Sequence, residues 1–208
     1  MGYRLIIFDF DGTLADSLPF VVSILDEIAE QYRLPRVTAD QIDQFRRTDA
    51  GQVMRFVNVP FWKIPLIAAD VRRRMAKEIH QIRLFEGIDQ VIQGLAGQGK
   101  QLAVVSSNAT SNIRQVLGAE NAGLIRLFEG GISAFGKPPK IRKVMRRLHV
   151  SPAETLLIGD EIRDIQAARK AGVACGVVSW GYTHLSALES YAPEIIFRQV
   201  DEILKKVT

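Results

Sequence analysis

The sequence predicts an α/β fold in which a doubly wound parallel sheet carries an inserted helical segment. Short apolar runs without a helical period predict buried strands at residues 3–9, 101–107, 155–160, 174–179 and 194–197. Helical patterns lie between these runs, for example at 88–94 and 162–171. Strands therefore alternate with helices, as they do in parallel sheets that are covered on both faces.

The third observation is that no convincing strand lies between residues 17 and about 82. Apolar residues at 20–32 fall on one helical face, and a further helix is predicted at about 64–80. The sequence TADQ at 38–41 has the pattern of a capping box, which begins a helix. These patterns predict that the inserted segment is helical.

We therefore predict two units: a core domain of residues 1–16 and 83–208, and an inserted helical domain of residues 17–82. The stretch NVPFWKIP interrupts the helical pattern of the inserted domain with two prolines and two aromatic residues. We expect these aromatic residues, Phe61 and Trp62, to pack in the interior of the inserted domain; the alternative is that they line the pocket or a partner surface.

Composition limits the cellular setting and the partners. The chain has 208 residues and a single cysteine, Cys175, so it cannot form an internal disulfide, and we expect a reducing, cytoplasmic location. No run is long enough to span a membrane. The net charge of +4 is spread over many segments, which gives no reason to expect nucleic-acid binding. We interpret the densest basic run, 72–74, as a solvated helix face.

Acidic and polar side chains follow three of the predicted strands. Asp9 and Asp11 close the first strand, Ser106 lies at the end of the second, and Asp160 ends the third. Because ligands of open parallel sheets bind beyond the carboxyl ends of the strands, we expect these groups to converge. Carboxylates held close together repel one another unless a cation lies between them, and Mg²⁺ prefers such oxygen ligands. The sequence therefore predicts a Mg²⁺ site.

Two other motifs are excluded by their spacing. An EF-hand loop that began at Asp9 would need a glycine at its sixth position and a glutamate at its twelfth, but the glycine is fourth and the twelfth residue is Phe20. The sequence GISAFGK at 131–137 has the glycine and lysine spacing of a P-loop, but Pro138 stands where that motif needs a hydroxyl.

Four short motifs resemble, in order, those of the haloacid dehalogenase superfamily: DFDGT after the first strand, VVSSN at the second, GKP before a helix, and IGDEIRD at a later strand. The tail VVSWGY followed by APEIIF is similar to the phosphoglycolate-phosphatase-like branch of this superfamily. The resemblance implies a Rossmann-like core with an inserted helical cap of the C1 type.

The resemblance also implies roles for individual residues. Asp9 would be the nucleophile that forms an aspartyl-phosphate, and Asp11 would be the general acid and base. Ser106 would hold phosphoryl oxygens and Lys137 would offset their charge. The metal ligands would be Asp9, Asp160 and the backbone carbonyl of Asp11. The family's dehalogenases have a tyrosine at the position of Asp11.

Further residues are expected around the phosphate. The phosphate-binding set would include Gly12, Thr13, Ser107 and Asn108. Asp164 would orient water molecules or Lys137 from behind the metal ligands. In the cap, Arg46 or Arg47 is expected to meet a carboxylate or a second phosphate of the substrate, with Arg47 the preferred candidate. We interpret His80, His149 and His184 as structural or surface residues, and Cys175 as a small buried apolar residue.

The expected function is therefore a Mg²⁺-dependent phosphatase of a small phosphorylated metabolite, similar to phosphoglycolate phosphatase and monomeric or homodimeric. Two alternatives remain open at this stage. A sugar phosphomutase would keep the same motifs, and a regulator without turnover would bind a phosphoryl ligand on the same scaffold.

Overall fold

The computed structural model describes residues 2–48, 50–131 and 136–207. Six parallel strands form the main sheet: β1 (Leu5–Phe8), β4 (Gln101–Val105), β5 (Ile125–Glu129), β6 (Thr155–Gly159), β7 (Ala174–Val178) and β8 (Ile195–Phe197). Their order across the sheet is β5-β4-β1-β6-β7-β8. The predicted doubly wound α/β fold is confirmed. Along the chain, β4 and β5 follow β1 toward one edge of the sheet, and β6, β7 and β8 then lie on the other side of β1. The strand order therefore reverses at β1, and the crevice of the sheet opens at the carboxyl end of this strand.

One strand of the main sheet, β5, is absent from the sequence prediction. It lies at the sheet edge, and four of its five residues are partly or fully exposed. Arg126 interrupts its apolar character, so it lacks the continuous apolar run by which the other strands are recognised.

Helices cover both faces of the sheet, because successive side chains of each strand point to opposite faces and are apolar on both. In β1, Ile6 and Phe8 belong to one apolar cluster, whereas Leu5 and Ile7 belong to the other. The first cluster packs on α6 (Ile88–Gly97), α7 (Thr110–Leu124, kinked at Gly118) and α11 (Glu202–Lys206). The second packs on α8 (Pro138–Leu148), α9 (Ile162–Ala171) and α10 (Leu185–Glu189). This burial on both faces explains the uninterrupted apolar runs.

A short antiparallel pair, β2 (Ala15–Asp16) and β3 (Arg83–Leu84), joins the two ends of the inserted segment. Between them lie α1 (Leu18–Ser23), α2 (Leu25–Tyr32), α3 (Ala39–Phe45), α4 (Ala50–Phe56) and α5 (Ile64–Lys77). The capping box at the start of α3 is present, since Thr38 and Gln41 bond reciprocally. The division into two domains at residues 17 and 82 stays a prediction.

The expectation that Phe61 and Trp62 pack inside this segment is wrong. Their side chains lie in a 3₁₀ turn at Phe61–Lys63 and are 83% and 59% exposed. This turn leads directly into α5, whose first turn contains Pro65. No helix in the described ranges has both the length and the apolar character needed to cross a bilayer.

Candidate active site at the carboxyl end of the sheet

Three neighbouring strands deliver the central side chains of the site. Asp9 follows β1, Ser106 follows β4 and Asp160 follows β6, so the parallel register brings them to one edge. Each side chain is almost completely buried, with at most 2% of its surface exposed. The convergence expected from the sequence is therefore present in the fold.

Lys137 joins two of the carboxylates. It lies at the start of α8, and its Nζ is 2.6 Å from Asp9 Oδ2 and 2.5 Å from Asp164 Oδ1. Burial alone would lower the pKa of Lys137, but the charges of Asp164 and Asp9 outweigh it and hold the pKa above its usual value. Lys137 therefore places an ammonium group beside Asp9 at neutral pH.

The second oxygen of Asp9 has no such partner. Asp9 Oδ1 is buried and accepts no hydrogen bond from any group in the described part of the chain. A buried carboxylate oxygen without a partner is costly, which makes this atom a candidate for coordination by a ligand or metal.

Asp160 is held in place from two sides. Its Oδ1 accepts a hydrogen bond from the Thr13 hydroxyl at 2.8 Å, and its Oδ2 accepts one from the Tyr182 backbone N–H at 2.8 Å. A Cβ atom on Gly12 or Gly181 would overlap this carboxyl group, so glycine is required at both positions. Burial, and then the charges of Glu161, Asp9 and Asp164, raise the pKa of Asp160 well above its usual value.

Asp164 lies in α9 behind these groups. Its Oδ2 accepts hydrogen bonds from the backbone N–H groups of Asp160 at 3.3 Å and Glu161 at 3.1 Å, while its Oδ1 faces Lys137. One oxygen each from Asp9, Asp160 and Asp164 lies within 4.8 Å of the others. Such a buried acidic group has the hard oxygen donors that suit a divalent cation.

Asp11 has a different set of partners from Asp9. The Ser17 hydroxyl donates to its Oδ1 at 2.9 Å, and Asn108 Nδ2 is 3.1 Å from both carboxylate oxygens. Burial and then the charge of Asp9 raise the pKa of Asp11 to about 6, although the bonds from Ser17 and Asn108 oppose this rise. Asp11 can therefore hold or release a proton near neutral pH.

The loop after β4 is shaped by a lysine that the sequence analysis did not single out. The Lys140 ammonium donates to the backbone carbonyl oxygens of Ser106, Glu129, Gly130 and Gly131. Within the loop, the Asn108 backbone N–H donates to Ser106 Oγ at 3.1 Å. Lys140 therefore ties the ends of β4 and β5 together beside Asp9.

The arginines of the inserted segment differ from expectation in their surroundings. Arg46 donates to the backbone carbonyl oxygens of Tyr182 at 2.9 Å and Gly181 at 3.0 Å. Arg47 is 57% exposed and pairs with Asp43, so the structure does not bring it to the acidic groups. Its substrate contact stays a prediction.

Arg72 is the arginine of α5 that reaches the site. It lines a cavity of about 230 Å³ above Asp11, and it donates to the backbone carbonyl of Ser107. The interpretation of residues 72–74 as a solvated face is therefore wrong for Arg72, and also for Arg74, which pairs with the buried Asp70. The sequence shows only that these arginines are clustered. Their partners lie far along the chain or one helical turn away, so the sequence does not show the pairing.

Tyr182 is a further residue without an assigned role in the sequence analysis. Its hydroxyl is 2.8 Å from the Ser17 hydroxyl that bonds Asp11, and its backbone N–H bonds Asp160. The motif VVSWGY marked the segment, but no residue pattern indicated this double contact. The interpretation of Cys175 as buried is confirmed, since the residue is 1% exposed and burial raises the pKa of its thiol.

Comparison with known proteins gives a consistent family. Residues 6–178 match the family described as haloacid dehalogenase-like hydrolase. A phosphoglycolate phosphatase of Synechococcus elongatus is 29% identical over 206 residues, which cover 98% of this chain and 96% of the relative. A phosphoglycolate phosphatase of Vibrio parahaemolyticus is 24% identical, with 98% and 96% coverage.

Solved structures share the fold. A haloacid dehalogenase-like family hydrolase of Streptococcus pneumoniae superposes with a TM-score of 0.81 at 22% identity and covers 99% of both chains. A predicted phosphatase of Clostridium acetobutylicum has a TM-score of 0.83 at 22% identity, with 100% of this chain and 99% of that chain covered. The chain therefore belongs to the haloacid dehalogenase-like hydrolase family, and it is an enzyme of the phosphoric monoester hydrolase class.

Proposed function

We propose that this phosphatase is Mg²⁺-dependent and hydrolyses a small phosphomonoester through an aspartyl-phosphate on Asp9. The observation that carries this proposal is the environment of the Asp9 carboxylate. One of its oxygens pairs with Lys137, and the other is buried without a hydrogen-bond partner among the described residues.

The residues present fit a hard divalent cation. Asp9 Oδ1 is free to be a ligand, and Asp160 is fixed next to it by Thr13 and Tyr182. Asp164 Oδ1 already faces the Lys137 ammonium, whereas both partners of Asp160 are neutral donors, which favours a role for Asp164 in holding Lys137 over direct ligation. We assign the metal to Asp9, Asp160 and the backbone carbonyl of Asp11. When bound, Mg²⁺ would neutralise charge on the carboxylates and the phosphoryl oxygens.

In the first step a carboxylate oxygen of Asp9 attacks phosphorus, and the bond from phosphorus to the alcohol oxygen breaks. Asp11 gives its proton to that departing oxygen, so the alcohol leaves neutral. The raised pKa of Asp11, about 6, supports this role, because a carboxyl group with the usual pKa would be almost fully ionised near neutral pH.

In the second step water attacks the phosphorus of the aspartyl-phosphate. Asp11, now a carboxylate, takes the proton of that water, and the bond between phosphorus and Asp9 breaks. Inorganic phosphate leaves and both aspartates return to their starting state. Ser17 and Asn108 keep the carboxyl group of Asp11 in one orientation through both steps.

Lys137 and the loop after β4 are assigned to the phosphoryl oxygens. The Lys137 ammonium is fixed between Asp9 and Asp164, so it needs no rearrangement when negative charge develops. Ser106 and the backbone N–H of Ser107 would donate the remaining hydrogen bonds, while the Asn108 backbone N–H holds Ser106 Oγ in place. Thr13 contributes through Asp160, to which its hydroxyl is bonded.

The relatives named phosphoglycolate phosphatase suggest a small phosphorylated metabolite as substrate. We propose that the helical segment of residues 17–82 acts as a cap domain that covers the bound phosphate and excludes bulk water. The 230 Å³ cavity between α5 and Asp11 is the place where the rest of the substrate would lie.

The test is phosphate release from a broad panel of phosphomonoesters, with Mg²⁺ or with EDTA. Asp9→Asn should abolish release, whereas Asp16→Asn, the same change at an exposed aspartate in β2, should not. Quenched enzyme should carry phosphate in a hydroxylamine-sensitive acyl linkage. Release that is unaffected by Asp9→Asn would refute the mechanism, and isomerisation of a hexose bisphosphate without net release would replace the phosphatase by a mutase.

A further inference from the structure

A second cavity, of about 330 Å³, lies among helices α1 to α4 of the inserted segment. It adjoins the cavity above Asp11, because the same four residues line both: Val21, Met54, Ile67 and Tyr182. The second cavity therefore lies next to the space above the candidate phosphoryl site, and these four side chains stand at the boundary between the two. Together the two cavities have the size that small-molecule sites commonly occupy.

The wall of the second cavity is almost wholly hydrocarbon. It is formed by aliphatic and aromatic side chains such as Ile28, Phe45, Val53 and Val57. Mostly apolar lining also continues into the cavity above Asp11, through Ile64, Val71 and Met75.

The charged groups on the second cavity's wall are already paired. Arg46 donates to the backbone carbonyl oxygens of Gly181 and Tyr182, and Glu161 pairs with Arg163. Two of the three hydroxyls on this wall are also engaged, since Thr48 donates to the Phe45 carbonyl and Tyr182 bonds Ser17; the third belongs to Thr183. A ligand rich in hydroxyl or carboxylate groups would lose its hydration there and find few new partners.

We infer that the alcohol half of the substrate is an apolar chain or ring, which extends from the phosphoryl group above Asp11 into the second cavity. This inference rests on the proposed phosphatase function, and it adds the class of substrate: a phosphomonoester of an apolar alcohol. The reaction is otherwise unchanged. Asp9 displaces the alcohol from phosphorus, water then releases phosphate from Asp9, and the products are the apolar alcohol and inorganic phosphate.

The first experiment uses a homologous series of n-alkyl phosphates, from ethyl to octyl phosphate. The leaving-group chemistry is nearly constant along this series, so changes in kcat/KM report burial of the chain. Transfer of one methylene from water to an apolar site corresponds to about a two- to fourfold gain. We expect kcat/KM to rise by at least about tenfold between ethyl and hexyl phosphate, with Mg²⁺ present.

A pair of variants on one helix locates the effect. Val53→Phe fills part of the second cavity and does not touch the first, so it should remove most of the gain in kcat/KM of hexyl over ethyl phosphate. Arg55→Phe places the same side chain on the exposed side of α4 and lines neither cavity, so the gain should remain. Circular dichroism melting curves of both variants would show that the helical segment stays folded.

Binding of n-alkyl phosphonates, which cannot be hydrolysed at the carbon–phosphorus bond, gives a readout independent of turnover. Hexylphosphonate should bind at least about tenfold more tightly than ethylphosphonate in calorimetry. Flat kcat/KM and flat phosphonate affinity, with phosphate still released from other esters, would overturn the inference and leave the proposed function standing. No release from any ester would refute the proposed function and, with it, the inference that rests on it.

Discussion

Lys137 provides the sharpest test of the buried charge arrangement. Its ammonium lies between Asp9 Oδ2 at 2.6 Å and Asp164 Oδ1 at 2.5 Å, and its side chain is only 11% exposed. Lys137→Met keeps most of the aliphatic stem but removes the charge. Two buried carboxylates then face one another without a cation, and breaking a buried ion pair in this way costs about 3–5 kcal/mol.

The mutual repulsion of the acids gives a similar magnitude. At a separation of 4.8 Å, the limit within which oxygens of Asp9, Asp160 and Asp164 lie, two unit charges repel by roughly 3 kcal/mol at an effective dielectric constant of about 20. In urea, with a slope of about 3 kcal/mol per molar, the expected loss lowers the unfolding midpoint by about 1 M or more. The measurement is made in EDTA, so that no metal ion compensates.

The matched control is Lys143→Met on the same helix. Lys143 is 43% exposed and pairs with Glu129 at 2.7 Å, so its loss should cost less than about 1 kcal/mol. The double variant Lys137→Met/Asp164→Asn should recover at least about 1 kcal/mol, because it removes one of the two stranded charges. Equal midpoints for Lys137→Met and Lys143→Met would refute the view that Lys137 neutralises the buried acids.

Three further outcomes are expected. Mg²⁺ at about 100 times its Kd should stabilise the native protein by ~2.7 kcal/mol in thermal melts. The Asp160→Asn variant should lose this stabilisation. Equal stabilisation of the native protein and the variant would exclude Asp160 as a ligand. Asp11→Asn should slow turnover of alkyl phosphates by about 10²–10⁴-fold. It should keep a burst of 4-nitrophenol from 4-nitrophenyl phosphate, because that leaving group departs without a proton. Loss of the burst in stopped-flow measurements would contradict a general-acid role. Arg46→Ala should lower the free energy of unfolding by about 1–3 kcal/mol, because it removes two hydrogen bonds to the loop at Gly181. Arg47 is exposed, so Arg47→Ala should change this free energy by less than about 0.5 kcal/mol. Similar values for the two variants in urea unfolding would show that the loop contacts contribute nothing.

The site could be read from the sequence where local position decides it. Asp9, Ser106 and Asp160 were predicted together because each follows an apolar run, and parallel strands carry their ends to one edge. The partners of these groups could not be read in this way. The Tyr182 hydroxyl reaches Ser17, 165 positions earlier, and Lys140 reaches the end of β4, 34 positions earlier.

The sequence by itself determined the sheet, its helical cover and the acids at its crevice, because burial on both faces leaves continuous apolar runs and short motifs mark the strand ends. Only the tertiary structure decided the edge strand β5, the exposure of Phe61 and Trp62, and which arginine of the inserted segment approaches Asp11. The physical reason is the same in each case. A residue type fixes what a side chain can bond or bury, but long-range packing decides which partner lies within reach.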